Sequence, residues 1–293
     1  MSARATVPTL DALARDSGTF LMVAMDQRES LRTMLRDHGH EPTDDRVAAF
    51  KVAVARELAP HASGFLIDRH SAFEEVAGVV ARTPSGLILA VDALHQRPGE
   101  IVEDTELDDG VDVTAAAAAG TVALKLLVIW RDDARRAERV EMSRRFVELA
   151  RRHALLSVLE PVVRGPDGFD RDAAIVEAAQ ELGAVGPSLY KCEVPLRGRG
   201  DAAAITERCR EIDAALPCPW VVLSQGVEPD DFPAAVEAAC RGGAAGMLAG
   251  RAVWTATLAA DDPTELLRER SVPRLQQLAA IVDEHGRPWR EKS

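Results

Sequence analysis

Two lysines stand where apolar runs leave little room for charge. Lys191 lies in "SLYKCEVPL", among Leu189, Tyr190, Cys192 and Val194, and Lys125 lies in "VALKLLVIW". Lysine is almost never fully buried without a partner. If both side chains face one pocket, a second nearby cation and partial desolvation each disfavour the charged form, and the Lys191 pKa falls. A free amine near neutral pH is what attack on a ketone or aldehyde requires to form a Schiff base. A structural salt bridge, for example between Lys191 and Glu160, accounts for the lysines equally well when they are taken alone. Glu160 and Asp26, each closing an aliphatic run, favour chemistry. Glu160 is placed to move protons during carbinolamine formation and dehydration. Asp26, or Glu160 itself, is placed to take a proton from a substrate hydroxyl as a carbon–carbon bond breaks.

A separate signal comes near the C-terminal end. "LSQG" (Leu223 to Gly226) and "AGRAVW" (Ala249 to Trp254) bring small residues and one arginine together. Glycines let backbone N–H groups approach an anion, and Arg251 supplies a fixed charge. Ser224, Gln225, Gly226, Gly250 and Arg251 are therefore candidate phosphate-binding residues. Turn-making alone also accounts for an isolated glycine. Metal catalysis is the other route to carbonyl chemistry, but the seven histidines give no HExxH. "HGH" at His38 to His40 falls in a polar stretch and reads as solvated. His70 and His95 are candidates for touching substrate, not for a metal centre. No metal and no cofactor are expected.

Eight short aliphatic runs must position these groups. They are "FLMVAM" before Asp26, "GFLI" before Asp68, "GLILAV" before Asp92, "VALKLLVIW", "LLSVL" before Glu160, "SLYKCEV", "WVVL" before Ser224 and "AGMLAG" before Arg251. Amphipathic stretches such as "DRVAAFKVAVAREL" and "DRDAAIVEAAQELG" alternate with them. Strand and helix repeated in this way predict an α/β fold of the (β/α)8 TIM-barrel type. The polar residues then fall at the C-terminal ends of the strands, where such barrels carry their active sites. A doubly wound open sheet predicts a Gly-rich turn after the first strand, and "AMDQRE" has none. No linker or low-complexity tract divides the chain, so one domain over residues 1–293 is expected.

Composition bounds the function class. The net charge of −12 argues against a nucleic-acid or membrane surface, while leaving room for one local anion pocket. The four cysteines form no CxxC pair, the opening residues show no signal-peptide core, and the longest apolar run is too short to span a bilayer. A cytoplasmic protein with a small-molecule partner is the expectation. A non-catalytic barrel that binds a sugar phosphate also fits the glycines and Arg251, although it leaves the paired lysines without a purpose.

In their order, "DQRE", "LKLLVIWR", "LEPVVR", "LYKCEVPL", "VVLSQGV" and "GRAVW" resemble the class I aldolases of the tagatose-bisphosphate and sulfofructosephosphate type. The compact length, "LKLLVIWR" and "EPVVR" look closer to the sulfofructosephosphate aldolases of sulfoquinovose catabolism. The resemblance implies that Lys191 is the Schiff-base lysine, assisted by Lys125, Glu160 and Asp26. It also implies that Ser224, Gly226, Gly250 and Arg251 cradle the phosphate of dihydroxyacetone phosphate. The expected reaction is cleavage of 6-deoxy-6-sulfofructose 1-phosphate to dihydroxyacetone phosphate and sulfolactaldehyde, with tagatose 1,6-bisphosphate as the alternative substrate. "IDRHSAF" and Gln225 depart from the family pattern, which puts the far end of the substrate in question. Gln27, Arg28 and Arg164 are the candidates for holding that end, with Arg69 a weaker one. A homo-oligomer is expected.

Overall fold

The structure, a computed structural model, describes residues 8–97 and 100–292. The first seven residues, part of the stretch read as lacking a leader, lie outside the described residues.

The eight aliphatic runs are all strands, and they close into a parallel barrel. In chain order the strands are β1 Phe20–Met25, β2 Gly64–Ile67, β3 Gly86–Ala90, β4 Asp92–His95, β5 Asp104–Leu107, β6 Thr121–Trp130, β7 Leu156–Val163, β8 Leu189–Glu193, β9 Trp220–Leu223 and β10 Gly246–Ala249. The barrel runs β1-β10-β9-β8-β7-β6-β3-β2, so the fold is a (β/α)8 barrel. Strands covered on both faces read as continuous hydrophobic runs, which is why they were visible in the sequence. The remaining pair, β4 and β5, forms an antiparallel hairpin outside the barrel that the sequence reading lacks. "DALH" and "DTEL" are partly exposed and carry no aliphatic run, so neither displays the strand signal.

The helices are α1 Glu29–Asp37, α2 Asp44–Leu58, α3 Phe73–Val80, α4 Val113–Ala118, α5 Arg136–Arg152, α6 Arg171–Gly183, α7 Ala202–Ala215, α8 Phe232–Arg241, α9 Arg251–Trp254, α10 Thr264–Leu266 and α11 Val272–His285. Polar caps start several of them. The Thr43 hydroxyl accepts from Arg46 N–H at 3.2 Å, and Asp170 accepts from Ala173 N–H at 3.0 Å.

Side-chain alternation within the strands divides the core in two. Ala123, Leu156, Val158, Leu189, Val221 and Leu248 fill the barrel together with Leu10 and Leu13 of the N-terminal segment. Leu124, Leu126, Leu159, Tyr190 and Cys192 point outward beneath the helices. Successive side chains of a strand face opposite ways. Lys125 is two residues beyond Ala123, Glu160 two beyond Val158, and Lys191 two beyond Leu189, so all three face inward. They sit on top of an apolar plug, at the C-terminal end of the barrel. No helix of the described residues is long and apolar enough to cross a membrane.

Candidate active site

Lys125 Nζ stands among three carboxylates. It lies 2.9 Å from Asp26 Oδ2, 3.1 Å from Asp92 Oδ2 and 2.8 Å from Glu160 Oε2. The other oxygen of Glu160 lies 2.8 Å from Lys191 Nζ. Lys125, Glu160, Lys191 and Asp92 are buried, and Asp26 is nearly so. The sequence reading of two ammonium groups facing one another is corrected here, because the Glu160 carboxylate is wedged between them. Their mutual repulsion is offset by that shared counter-ion. The salt bridge that stood as the structural alternative is real, and it forms part of the same constellation.

Burial opposes charge on each member, and the partners overcome it. Lys125 loses hydration, yet Asp26, Asp92 and Glu160 hold its pKa well above the ordinary lysine value. Burial alone pushes Asp26 up, but the Lys125 and Lys191 ammonium groups hold it well below the usual carboxylate range. The space between the three carboxylates is filled by an ammonium group. Among the described residues, no group of three or more His, Cys, Asp or Glu side chains is placed to hold a metal ion.

Asp92 was visible as a strand end but was not chosen as a site residue. It opens β4, and its Oδ2 accepts from Lys125 Nζ and from Leu127 N–H at 3.0 Å. Its Oδ1 accepts from Arg28 Nη2 at 2.8 Å, and its carbonyl accepts from Arg28 Nη1 at 2.7 Å. Also missed was the fully buried pair of Lys51 and Asp68, which brings a charge from α2 to the top of β2. The signal was present, because Lys51 shares the apolar face of Val47, Val54 and Leu58 at helical spacing.

The loops after β9 and β10 carry the anion candidates. Ser224 is buried at the end of β9, with Gln225 half-buried beside it. Gly226 has φ 81°, a left-handed value that side chains rarely adopt. A Cβ on Gly250 would collide with the Ala24 carbonyl and stand 3.1 Å from Gln27 Nε2. Arg251, the first residue of α9, is mostly buried and, among the described residues, has no acidic partner within ion-pair distance. Burial lowers its pKa, while the carboxylates of Glu160 and Asp26 act in the opposite direction.

The far-end candidates do not form one cluster. Gln27 lies beside Gly250, with its Oε1 buried and without a hydrogen-bond partner. Arg28 is fixed on Asp92 with its buried Nε free. Arg164 follows β7, four strands from β1 in the closed order and so on the opposite side of the mouth. Its buried Nε has no partner, and its pKa is lowered by burial and by the charges of Arg131, Arg171 and Arg197, against Glu193 alone. Arg69 is taken up by Asp108 through bonds of 2.6 and 3.1 Å. His70 is half-exposed, 3.7 Å from that aspartate, and His95 is exposed, 3.5 Å from Glu106. His38 bonds to the Met34 carbonyl at 2.8 Å. His40 is not solvated as expected, since it packs between Arg46 and Asp261.

Comparisons with known proteins give the family and the fold. Residues 20–256 match the family model described as DeoC/LacD family aldolase. A tagatose 1,6-diphosphate aldolase of Listeria innocua is 25% identical, over 96% of this chain and 92% of that protein. Tagatose 1,6-diphosphate aldolase 2 of Streptococcus agalactiae is 24% identical over 97% of each. Among solved structures, the fructose-bisphosphate aldolase of Plasmodium falciparum superposes with a TM-score of 0.71 at 13% identity, covering 98% of this chain and 99% of that one. An archaeal fructose-1,6-bisphosphate aldolase, solved with its catalytic lysine bound to a carbinolamine intermediate, superposes at 0.64 with 17% identity, over 94% and 98%.

Proposed function

The chain belongs to the DeoC/LacD aldolase family and is a carbon–carbon lyase, and from that premise we propose that it cleaves a ketose bisphosphate through an imine on Lys191. One observation carries the assignment: Glu160 bridges Lys191 and Lys125, so an amine, a proton carrier and a permanent cation stand in contact on one face.

The steps follow from these contacts. Lys191 passes a proton to Glu160 and attacks the substrate ketone. Glu160 returns the proton as the carbinolamine loses water, and the resulting iminium is an electron sink. Lys125 stays charged among its three carboxylates and stabilises the oxygen on which negative charge develops. Asp26 is held ionised and is therefore a poor proton acceptor. It orients the hydroxyl beyond the scissile bond, and Glu160 takes that proton. The aldehyde leaves, and the enamine on Lys191 is protonated and hydrolysed to dihydroxyacetone phosphate.

The 1-phosphate is assigned to Ser224, Gln225, Gly226, Gly250 and Arg251, with Gln27 beside Gly250. In the closed barrel order, the boundary of β9 and β10 stands opposite that of β3 and β6. A substrate that starts on the phosphate loops and crosses Lys191 therefore ends above β3, near Arg28. There a cleft of about 420 Å³ opens among Arg28, Arg69, His70, Leu94 and Gln96. Arg164, on the other side, is left to guide anions into the mouth.

Tagatose 1,6-bisphosphate is the better supported substrate, because the relatives named above are tagatose 1,6-diphosphate aldolases. One observation favours 6-deoxy-6-sulfofructose 1-phosphate instead. At the far end Arg28 faces Asp92, and Arg69 faces Asp108, so little net charge remains for a dianion. A sulfonate is a monoanion, whereas a phosphate monoester is largely a dianion near neutral pH. Steady-state comparison of the two substrates decides: a higher kcat/KM for the sulfonate overturns the bisphosphate assignment. We take the chain as one domain of a cytoplasmic homo-oligomer that needs no cofactor or metal, and EDTA should leave its activity intact.

A further inference from the structure

Beyond Lys191 the chain leaves β8 through "VPLRG", and there Leu196 (φ 54°) and Arg197 (φ 53°) are both left-handed. Residues with a Cβ rarely take that conformation, and two in succession hold strain that the surroundings must fix. The fixing contacts are present. Asp172 Oδ1 accepts from Leu196 N–H at 3.0 Å, and the Leu196 carbonyl accepts from Arg199 N–H at 3.0 Å.

The turn determines where Arg197 goes. Its Nη1 lies 3.3 Å from the position a Cβ on Gly226 would take, so the guanidinium rests on the left-handed residue of the β9 loop. Two of the arginines around it are committed to acids, Arg171 to Glu193 at 3.1 Å and Arg199 to Glu228 at 2.9 Å, while Arg164 bonds to the Val163 carbonyl at 2.9 Å. Arg197 has no carboxylate within ion-pair distance among the described residues, in a chain whose net charge is −12. An exposed arginine in so acidic a protein, held by a strained turn against a glycine and away from any acid, is set up for an external anion.

We propose that Arg197 is a second cation of the phosphate site, gripping the substrate's 1-phosphate from the β8 side while Arg251 grips it from the β10 side. The proposal rests on the assignment of the 1-phosphate to the loops after β9 and β10. A phosphate monoester carries close to two negative charges near neutral pH, and Arg251 supplies one positive charge. A guanidinium offers a fixed fork of donors that fits two phosphate oxygens. The left-handed turn pre-organises that fork, so less freedom is lost when the anion binds.

Calorimetric titration with dihydroxyacetone phosphate, and separately with inorganic phosphate, tests this in the wild type and in Arg197→Ala, Arg197→Lys and Arg251→Ala. Arg197→Ala should weaken both ligands about tenfold, the loss expected for a charge-assisted contact. Arg197→Lys should recover part of it, and thermal unfolding should be unchanged because the side chain is exposed. Full affinity in Arg197→Ala beside a loss in Arg251→Ala overturns the role of Arg197 and leaves the phosphate loops in place. Full affinity in both variants places the phosphate elsewhere and removes the proposal with its premise. Leu196→Gly relaxes the turn, so it should raise the unfolding midpoint and weaken phosphate binding several-fold. A gain in stability with no loss of affinity contradicts the pre-organisation.

Discussion

Glu160 has two oxygens and two lysines to serve, and the proposed mechanism rests on this division. Replacing it by Gln keeps the shape and removes the carboxylate proposed to carry the proton. Glu160→Gln should therefore lower kcat about 10²- to 10⁴-fold, the range of general acid–base catalysis, with a smaller change in KM; steady-state kinetics checks this. Arg251→Ala should raise KM for the ketose phosphate about tenfold to a hundredfold in a folded protein, since hydrogen bonds to a charged group are worth roughly 1.5–3 kcal/mol. An unchanged KM places the phosphate elsewhere. That Lys125, Glu160 and Lys191 lie on or at the end of barrel strands could be read from sequence, but their common inward direction could not, because strands buried on both faces show no alternation. Nor could the sharing of one carboxylate, since position along a strand does not give the reach of a side chain across the barrel.

At the scale of elements, the barrel strands announced themselves and the hairpin of β4 and β5 did not. Continuous aliphatic runs ended by Asp, Glu or Ser mark strands covered on both faces. The hairpin has only "DALH" and "DTEL", with polar side chains on a partly exposed ribbon. Asp92 was seen as a strand end but not as a site residue, because its partners Arg28, Lys125 and Leu127 are far away in sequence. Asp92→Ala leaves the buried Lys125 and the partly buried Arg28 without their shared acceptor. Removing one partner from a buried ion pair costs about 3–5 kcal/mol, so chemical denaturation should show a loss of that size along with lowered kcat. A variant of full stability would mean that the hairpin does not depend on this carboxylate.

At the scale of the whole molecule, charge is buried at the barrel mouth under compensation, and pH exposes the balance. The Asp26 pKa is depressed in the folded state, so its contribution to stability is complete above the unfolded value of about 3.9 and is lost as pH falls towards the folded one. Stability measured by denaturant should therefore fall less steeply below about pH 4 in Asp26→Asn than in the wild type. The central claim is that Lys191 forms the imine, and borohydride reduction in the presence of dihydroxyacetone phosphate tests it most directly. Reduction should inactivate the enzyme and place one adduct on the peptide containing "LYKCEVPL", and Lys191→Ala should trap no adduct. An adduct on Lys125 or another lysine, or an active enzyme that traps none, would contradict the assignment.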